Sequence, residues 1–183
     1  MKLTPSGSQT VGPFFRIGLE HLYSAAVKPI EHSEMVTVFG KVIDSDGAPV
    51  PDAVLELWHA DDRGRYAESF EGSGRSVCFT RTATDDQGRF EFSISKPGTG
   101  ACEPEFKQAP HLSVLVFARG LLRQLMTRIY FPGETANGSD SLLQMVPEDR
   151  RGTLIAREAG GGANAYEWNV VLQGRDETVF FAW

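Results

Sequence analysis

MVTVFGKVIDSDGAPVPDAVLELWHA, residues 35–60, decides the fold. Val36, Val38 and Val42 share one side of a two-residue repeat, the pattern of a strand with one buried face. SDGAPVPD, 45–52, follows: Asp46-Gly47 suits a positive φ, and Pro49 and Pro51 cannot donate to a ladder. AVLELWHA, 53–60, reads as the returning strand, with Val54, Leu55, Leu57 and Trp58 as core candidates.

The texture repeats downstream. CFTRTATD (78–85) and RFEFSISK (89–96) flank Asp86-Gln87-Gly88 and read as a hairpin. LSVLVFA (112–118) and LMTRIYF (125–131) read as a further pair, and AYEWNVVLQG (165–174) with ETVFFAW (177–183) as a last one. DSLLQMVPEDRRG (140–152) looks helical, and Pro147 limits it to short pieces. Upstream, residues 1–34 show little periodicity and carry Pro5, Pro13 and Pro29, so they form an arm with a poor core of its own. Many short strands between turn signals predict an all-β fold, a single antiparallel β-sandwich over 35–183 with an N-terminal coil arm and short helical connections.

Composition narrows the function. The chain has 183 residues, 41% hydrophobic and 23% charged, enough for one packed domain. A net charge of −6 and the lack of a lysine- or arginine-rich run speak against nucleic acid. No apolar stretch approaches a membrane span, and MKLTPSGSQTVGPFF has no signal-peptide core. Cys78 and Cys102 make neither a CxxC pair nor a disulfide framework and carry no functional reading; a reduced, cytoplasmic setting fits. P-loop, dinucleotide fingerprint, HExxH and GxSxG are all missing. The histidines His21, His32, His59 and His111 contain no i, i+4 pair.

Several separated segments carry a resemblance. LELWHADDRGRY (55–66), KPGTGACEPEFKQAPHLSVLVFARG (96–120), the 40–58 hairpin, the arm's SQTVGPFF (8–15) and the C-terminal ETVFFAW together resemble the intradiol ring-cleavage dioxygenases, in the family's order and over nearly the whole chain. The hairpin alone also suits a non-catalytic, transthyretin-like binding module, which leaves the arm and the FARG segment unexplained.

The resemblance implies a site. The family's catalytic chains hold non-haem Fe(III) with two tyrosinates and two histidines, hard and borderline donors suited to a strongly Lewis-acidic ion. The first tyrosine falls on Tyr66. The second falls on Gly100, within Thr99-Gly100-Ala101. The H-x-H strand reads His111-Leu112-Ser113, so the second histidine is Ser113, and a supporting arginine is Gln108. Two of four donors survive. No metal is therefore expected in this chain, and no catalytic residues are complete within it; the positions are vestigial. Among two-subunit members this points to the iron-free chain, whose catalytic β subunit supplies Fe(III) in an αβ hetero-oligomer. The arm, residues 1–34, would pack on that partner.

What such a chain contributes is implied in the same way. Thr10, Gly12 and Pro13 would line the pocket, with Gly12 allowing close backbone approach and Pro13 stiffening the arm. Arg119, at the end of an apolar strand, would meet a substrate carboxylate with its forked guanidinium. The substrate would be a carboxylated catechol, 3,4-dihydroxybenzoate, or another substituted catechol, cleaved by O2. Arg65 and Arg128 are expected to pair with nearby acids, and His59, which stands where the family has glutamine, to be exposed.

Overall fold

The computed structural model describes residues 6–23, 33–66, 78–103, 106–160 and 164–182, without the side chains of 101–103. Its strands are β1 (Met35–Ile43), β2 (Val54–His59), β3 (Phe79–Ala83), β4 (Arg89–Ser95), β5 (Gly100–Glu103), β6 (Phe106–Gln108), β7 (His111–Phe117), β8 (Leu125–Tyr130), β9 (Arg157–Glu158), β10 (Ala165–Glu167) and β11 (Val170–Val171). Two short α-helices join them, α1 (Pro13–Leu19) and α2 (Ser141–Met145). None of the described helices is long and apolar enough to cross a membrane.

Two sheets face each other. In one, β1 pairs antiparallel with β4 and parallel with β10 and β11, and β9 extends the edge beyond β10. The other has the order β3-β2-β7-β8, all antiparallel. The two-residue alternation fills the space between them: Val36 and Val38 of β1, Phe92 and Ile94 of β4, Leu55 and Leu57 of β2, and Leu112 and Val114 of β7 are all buried. At Gly40 any Cβ would lie 1.7 Å from the Trp168 carbonyl oxygen, so β1 tolerates only glycine where that backbone crosses it.

The sandwich is as expected, but its connectivity is not that of successive hairpins. β1 and β2 belong to different sheets, as do β3 and β4. Asp44–Val50 and Asp85–Gly88 make tight turns, in which Asp44 Oδ1 accepts from Asp46 and Ala48, and Asp85 Oδ1 from Gln87 and Arg89. Such a turn closes on itself through its own aspartate, so the strands leaving it are under no obligation to pair. The expected last pair does not form either: β10 and β11 pair with β1, and the described residues after them add single bonds, Thr178 N–H to the Val171 carbonyl and Phe181 N–H to that of Met126 in β8, which tie the two sheets together.

The arm is not coil throughout. Pro13 stands in the first turn of α1, where its missing N–H costs nothing, and Phe15 N–H donates to the Gly12 carbonyl at 3.0 Å. Residues 1–5 and 24–32 of the arm, including His32, lie outside the described residues.

A smaller cluster covers the outer face of the second sheet. Tyr130 of β8 packs there with Ala109, Leu143, Val146 and Leu154. α2 is held by Asp140, whose carboxylate accepts from Leu143 N–H at 2.7 Å. The expected helical region 140–152 thus becomes α2 and a 3-10 segment over Glu148–Leu154, broken at Pro147.

Candidate functional site

Strand alternation sorts the residues of β7. Leu112 and Val114 turn into the sandwich, so His111 and Ser113 turn outward. Opposite them on β8 stand Tyr130 and Arg128, His111 facing Tyr130 and Ser113 facing Arg128 across the ladder. One of the expected vestigial positions, Tyr66, reaches this square. Tyr66 Oη lies 3.3 Å from His111 Nε2. Gly100 of β5 is the register partner of Gln108 of β6, and a Cβ on Gly100 would come within 3.6 Å of the Gln108 side-chain oxygen. A Cβ on Gly100 would also lie 3.4 Å from the Gly64 carbonyl oxygen, two residues before Tyr66.

Hydrogen bonds assign the protons. The Ala109 carbonyl can only accept, so the His111 nitrogen 2.8 Å from it, Nδ1, carries the hydrogen. Nε2 is then the acceptor for the Tyr66 hydroxyl. Burial, reinforced by the Arg128 charge, lowers the His111 pKa from its ordinary 6.5 to about 4. Burial pushes the Tyr130 hydroxyl upward, so it stays protonated, and it donates to Asp140 at 3.0 Å.

The His111 shift has a consequence for stability. Between pH 6.5 and 4 the unfolded chain takes up a proton that the folded chain refuses. Stability from this residue is therefore complete above pH 6.5 and is lost as pH falls through that window, on the order of 3 kcal/mol in all. Equilibrium urea unfolding at pH 7 and pH 4 should show that loss in the wild type; a His111→Gln variant should lack this part of the slope. Equal slopes would mean that His111 is not held neutral.

Ferric iron does not fit this centre. Gly100 has no donor, Ser113 offers a neutral hydroxyl in place of imidazole, and the Arg128 guanidinium stands directly across from Ser113. No group of three or more His, Cys, Asp or Glu side chains that could hold a metal occurs among the described residues.

The second group of candidates lies on the arm. Thr10 and Gly120 are 110 residues apart, yet Gly120 N–H donates to Thr10 Oγ1 at 2.7 Å. Phe15 stacks against Phe117 at 5.3 Å between ring centres, so the arm is fastened to the end of β7 that leads to Arg119. Arg119 is half exposed; its guanidinium makes a loose contact with Asp52 Oδ2 at 3.5 Å, while Arg16 takes Oδ1 of the same carboxylate at 3.3 Å. A cleft of about 120 Å³ lies between the arm and the β7–β8 connection, lined by Gln9, Val11, Phe117 and Leu122 among others. Gly12 has an ordinary negative φ, and a Cβ there would meet nothing within 4 Å. None of the described residues requires glycine at that position. Phe14, Ile17 and Leu22 leave much of their apolar surface exposed.

Two expectations are corrected. His59 is 1% exposed, because it shares the inward face of β2 with Leu55 and Leu57; Nδ1 donates to the Ala60 carbonyl at 2.7 Å. Among the described residues Arg128 pairs with no acid. It is 7% exposed, it donates to the Tyr130 hydroxyl at 3.4 Å, and its Nε has no partner among the described residues. Arg65 does pair as expected, with Asp61 at 2.8 Å. Sequence reading missed Asp140 and Asp52 altogether; an aspartate just before a helical stretch was the available signal for the first.

A family model described as dioxygenase matches residues 19–174. The chain is 39% identical to the protocatechuate 3,4-dioxygenase alpha chain of Burkholderia cepacia, over 99% of this chain and 98% of that one. It is 34% identical to the alpha chain of the same name from Pseudomonas putida, over 98% and 96%. The beta chain from Burkholderia cepacia is 33% identical, over 94% of this chain and 77% of that one. Among solved structures, the dioxygenase domain of a carbohydrate-binding fusion protein from Streptomyces sp. SirexAA-E superposes with a TM-score of 0.63 at 24% identity, covering 84% of this chain and 89% of that one, which supports the shared fold.

Proposed function

The chain belongs to the dioxygenase family, and from that premise we propose that it is the alpha, iron-free subunit of an αβ protocatechuate 3,4-dioxygenase. The family depends on non-haem iron. On this reading the partner beta subunit holds the Fe(III), and the complex carries out intradiol cleavage of protocatechuate by O2 to 3-carboxy-cis,cis-muconate. The observation that carries it is the centre around His111, where Gly100 and Ser113 leave two of four donor positions empty and a buried cation stands beside them.

This chain's own work is binding. Arg119 presents a half-exposed guanidinium whose contact with Asp52 is too loose to use up its donors, so a substrate carboxylate can take the remaining edge. Thr10 anchors the arm beside it through the Gly120 N–H. Gly12 and Pro13 then form a stiff stretch with open space above Gly12, suited to close approach by a ring or by the partner's backbone. Residues 1–34 act as an arm on the partner, in keeping with the exposed Phe14 and Ile17, and residues 35–183 as the sandwich domain. The setting is the cytoplasm, in keeping with Cys78, a buried thiol whose pKa burial raises to about 11.

Coexpression with the catalytic chain from the same source tests the proposal. An iron-loaded complex should consume O2 with protocatechuate, and its activity should vanish when this chain is omitted. Full activity of the partner without this chain would overturn the assignment.

A further inference from the structure

Arg128 is a buried cation with no counter-ion among the described residues. It is 93% buried, taking its 7% exposure, and among the described residues no carboxylate lies within ion-pair distance of it. Asp140 reaches it only through the Tyr130 hydroxyl, and that carboxylate already accepts from Leu143 N–H, Ala109 N–H and Tyr130. His111 is neutral, and its acceptor nitrogen faces Tyr66. The buried Nε–H of Arg128 thus has no hydrogen-bond partner among the described residues. Across the ladder Ser113 brings a hydroxyl that no described side chain engages.

A guanidinium removed from water with a donor left unpaired is costly, and a bound anion offsets that cost by supplying both charge and acceptor. The unpartnered Nε–H and the Ser113 hydroxyl across the ladder are two donors that a small monovalent anion can share. We propose that this chain binds a small monovalent anion, a halide or a carboxylate of about formate size, between Arg128 Nε and Ser113. A site of the kind that takes a cation elsewhere in the family has changed sign here. The proposal needs only that no metal sits at this centre; it does not depend on Arg119 or on the identity of the substrate.

Thermal unfolding of the intact complex, at constant ionic strength with isethionate as the balancing ion, provides the test. Bromide or formate raised a hundredfold should increase the Tm of the transition that includes this chain by about 3–6 °C. Arg128→Met should abolish that dependence, and Arg128→Lys should keep part of it. Bromide and formate arms separate a halide site from a carboxylate site. Identical anion dependence in wild type and Arg128→Met would overturn the proposal. Should Arg128→Met fail to assemble, bromide-soaked crystals of the wild-type complex decide: an anomalous peak within hydrogen-bonding distance of Nε supports the site, and its absence at saturating bromide refutes it. Iron analysis of the same crystals separates this outcome from a failure of the iron-free reading.

Discussion

Asp140→Ala is expected to destabilise the fold by about 3–5 kcal/mol, the range for stranding buried partners of a charge. Asp140 is fully buried and gathers three donors: Leu143 N–H at 2.7 Å, Ala109 N–H at 2.8 Å and the Tyr130 hydroxyl at 3.0 Å. Alanine would leave all three without an acceptor and take away the carboxylate that shares the Tyr130 hydroxyl with Arg128. It would also undo the N-cap of α2 and loosen the entry to β7, two residues before His111. Asn should cost less, since its carbonyl oxygen still accepts, although its amide meets an N–H. Equilibrium urea unfolding measures both. A loss below about 1 kcal/mol for Asp140→Ala would show that the three bonds are not held together as described.

In the assembled enzyme, Arg119→Ala should lower kcat/KM for protocatechuate roughly 10- to 150-fold, equivalent to about 1.5–3 kcal/mol for a hydrogen-bonded charge. Most of that should lie in KM, because the carboxylate is bound alike in ground and transition states. The contact with Asp52 does not mask this effect: at 3.5 Å and with both groups partly in water it contributes little. Catechol, which lacks the carboxylate, is the control and should be handled almost equally by both proteins. An equal loss with both compounds, or dissociation of the complex, would make Arg119 an interface residue instead.

How far these features could be read from the residues alone depends on how local their causes are. The alternation of Val36, Val38 and Val42, or of Leu55 and Leu57, is a property of one strand and announces its buried face directly. The Asp44 and Asp85 turns are equally local, and for that reason they are silent on partners: their hydrogen bonds close whether the flanking strands pair or part. Hence the crossing from sheet to sheet was not legible. His59 was misplaced because a polar identity was weighed above its position in the Leu55, Leu57 series. The meeting of Tyr66 with His111 followed from matched motifs rather than from spacing. Asp140 goes unmarked in the sequence and Arg128 reads as an ordinary ion-pair partner because their importance lies in what the fold brings near them, a neutral histidine and a tyrosine, and no stretch of sequence shows that.

The most direct measurement is the metal content of this polypeptide expressed and purified without a partner. A colourless protein with iron far below one atom per chain, unchanged after incubation with ferric salts and dialysis, is the expected result. One tightly held ferric ion per chain, surviving dialysis, would contradict the account at its centre.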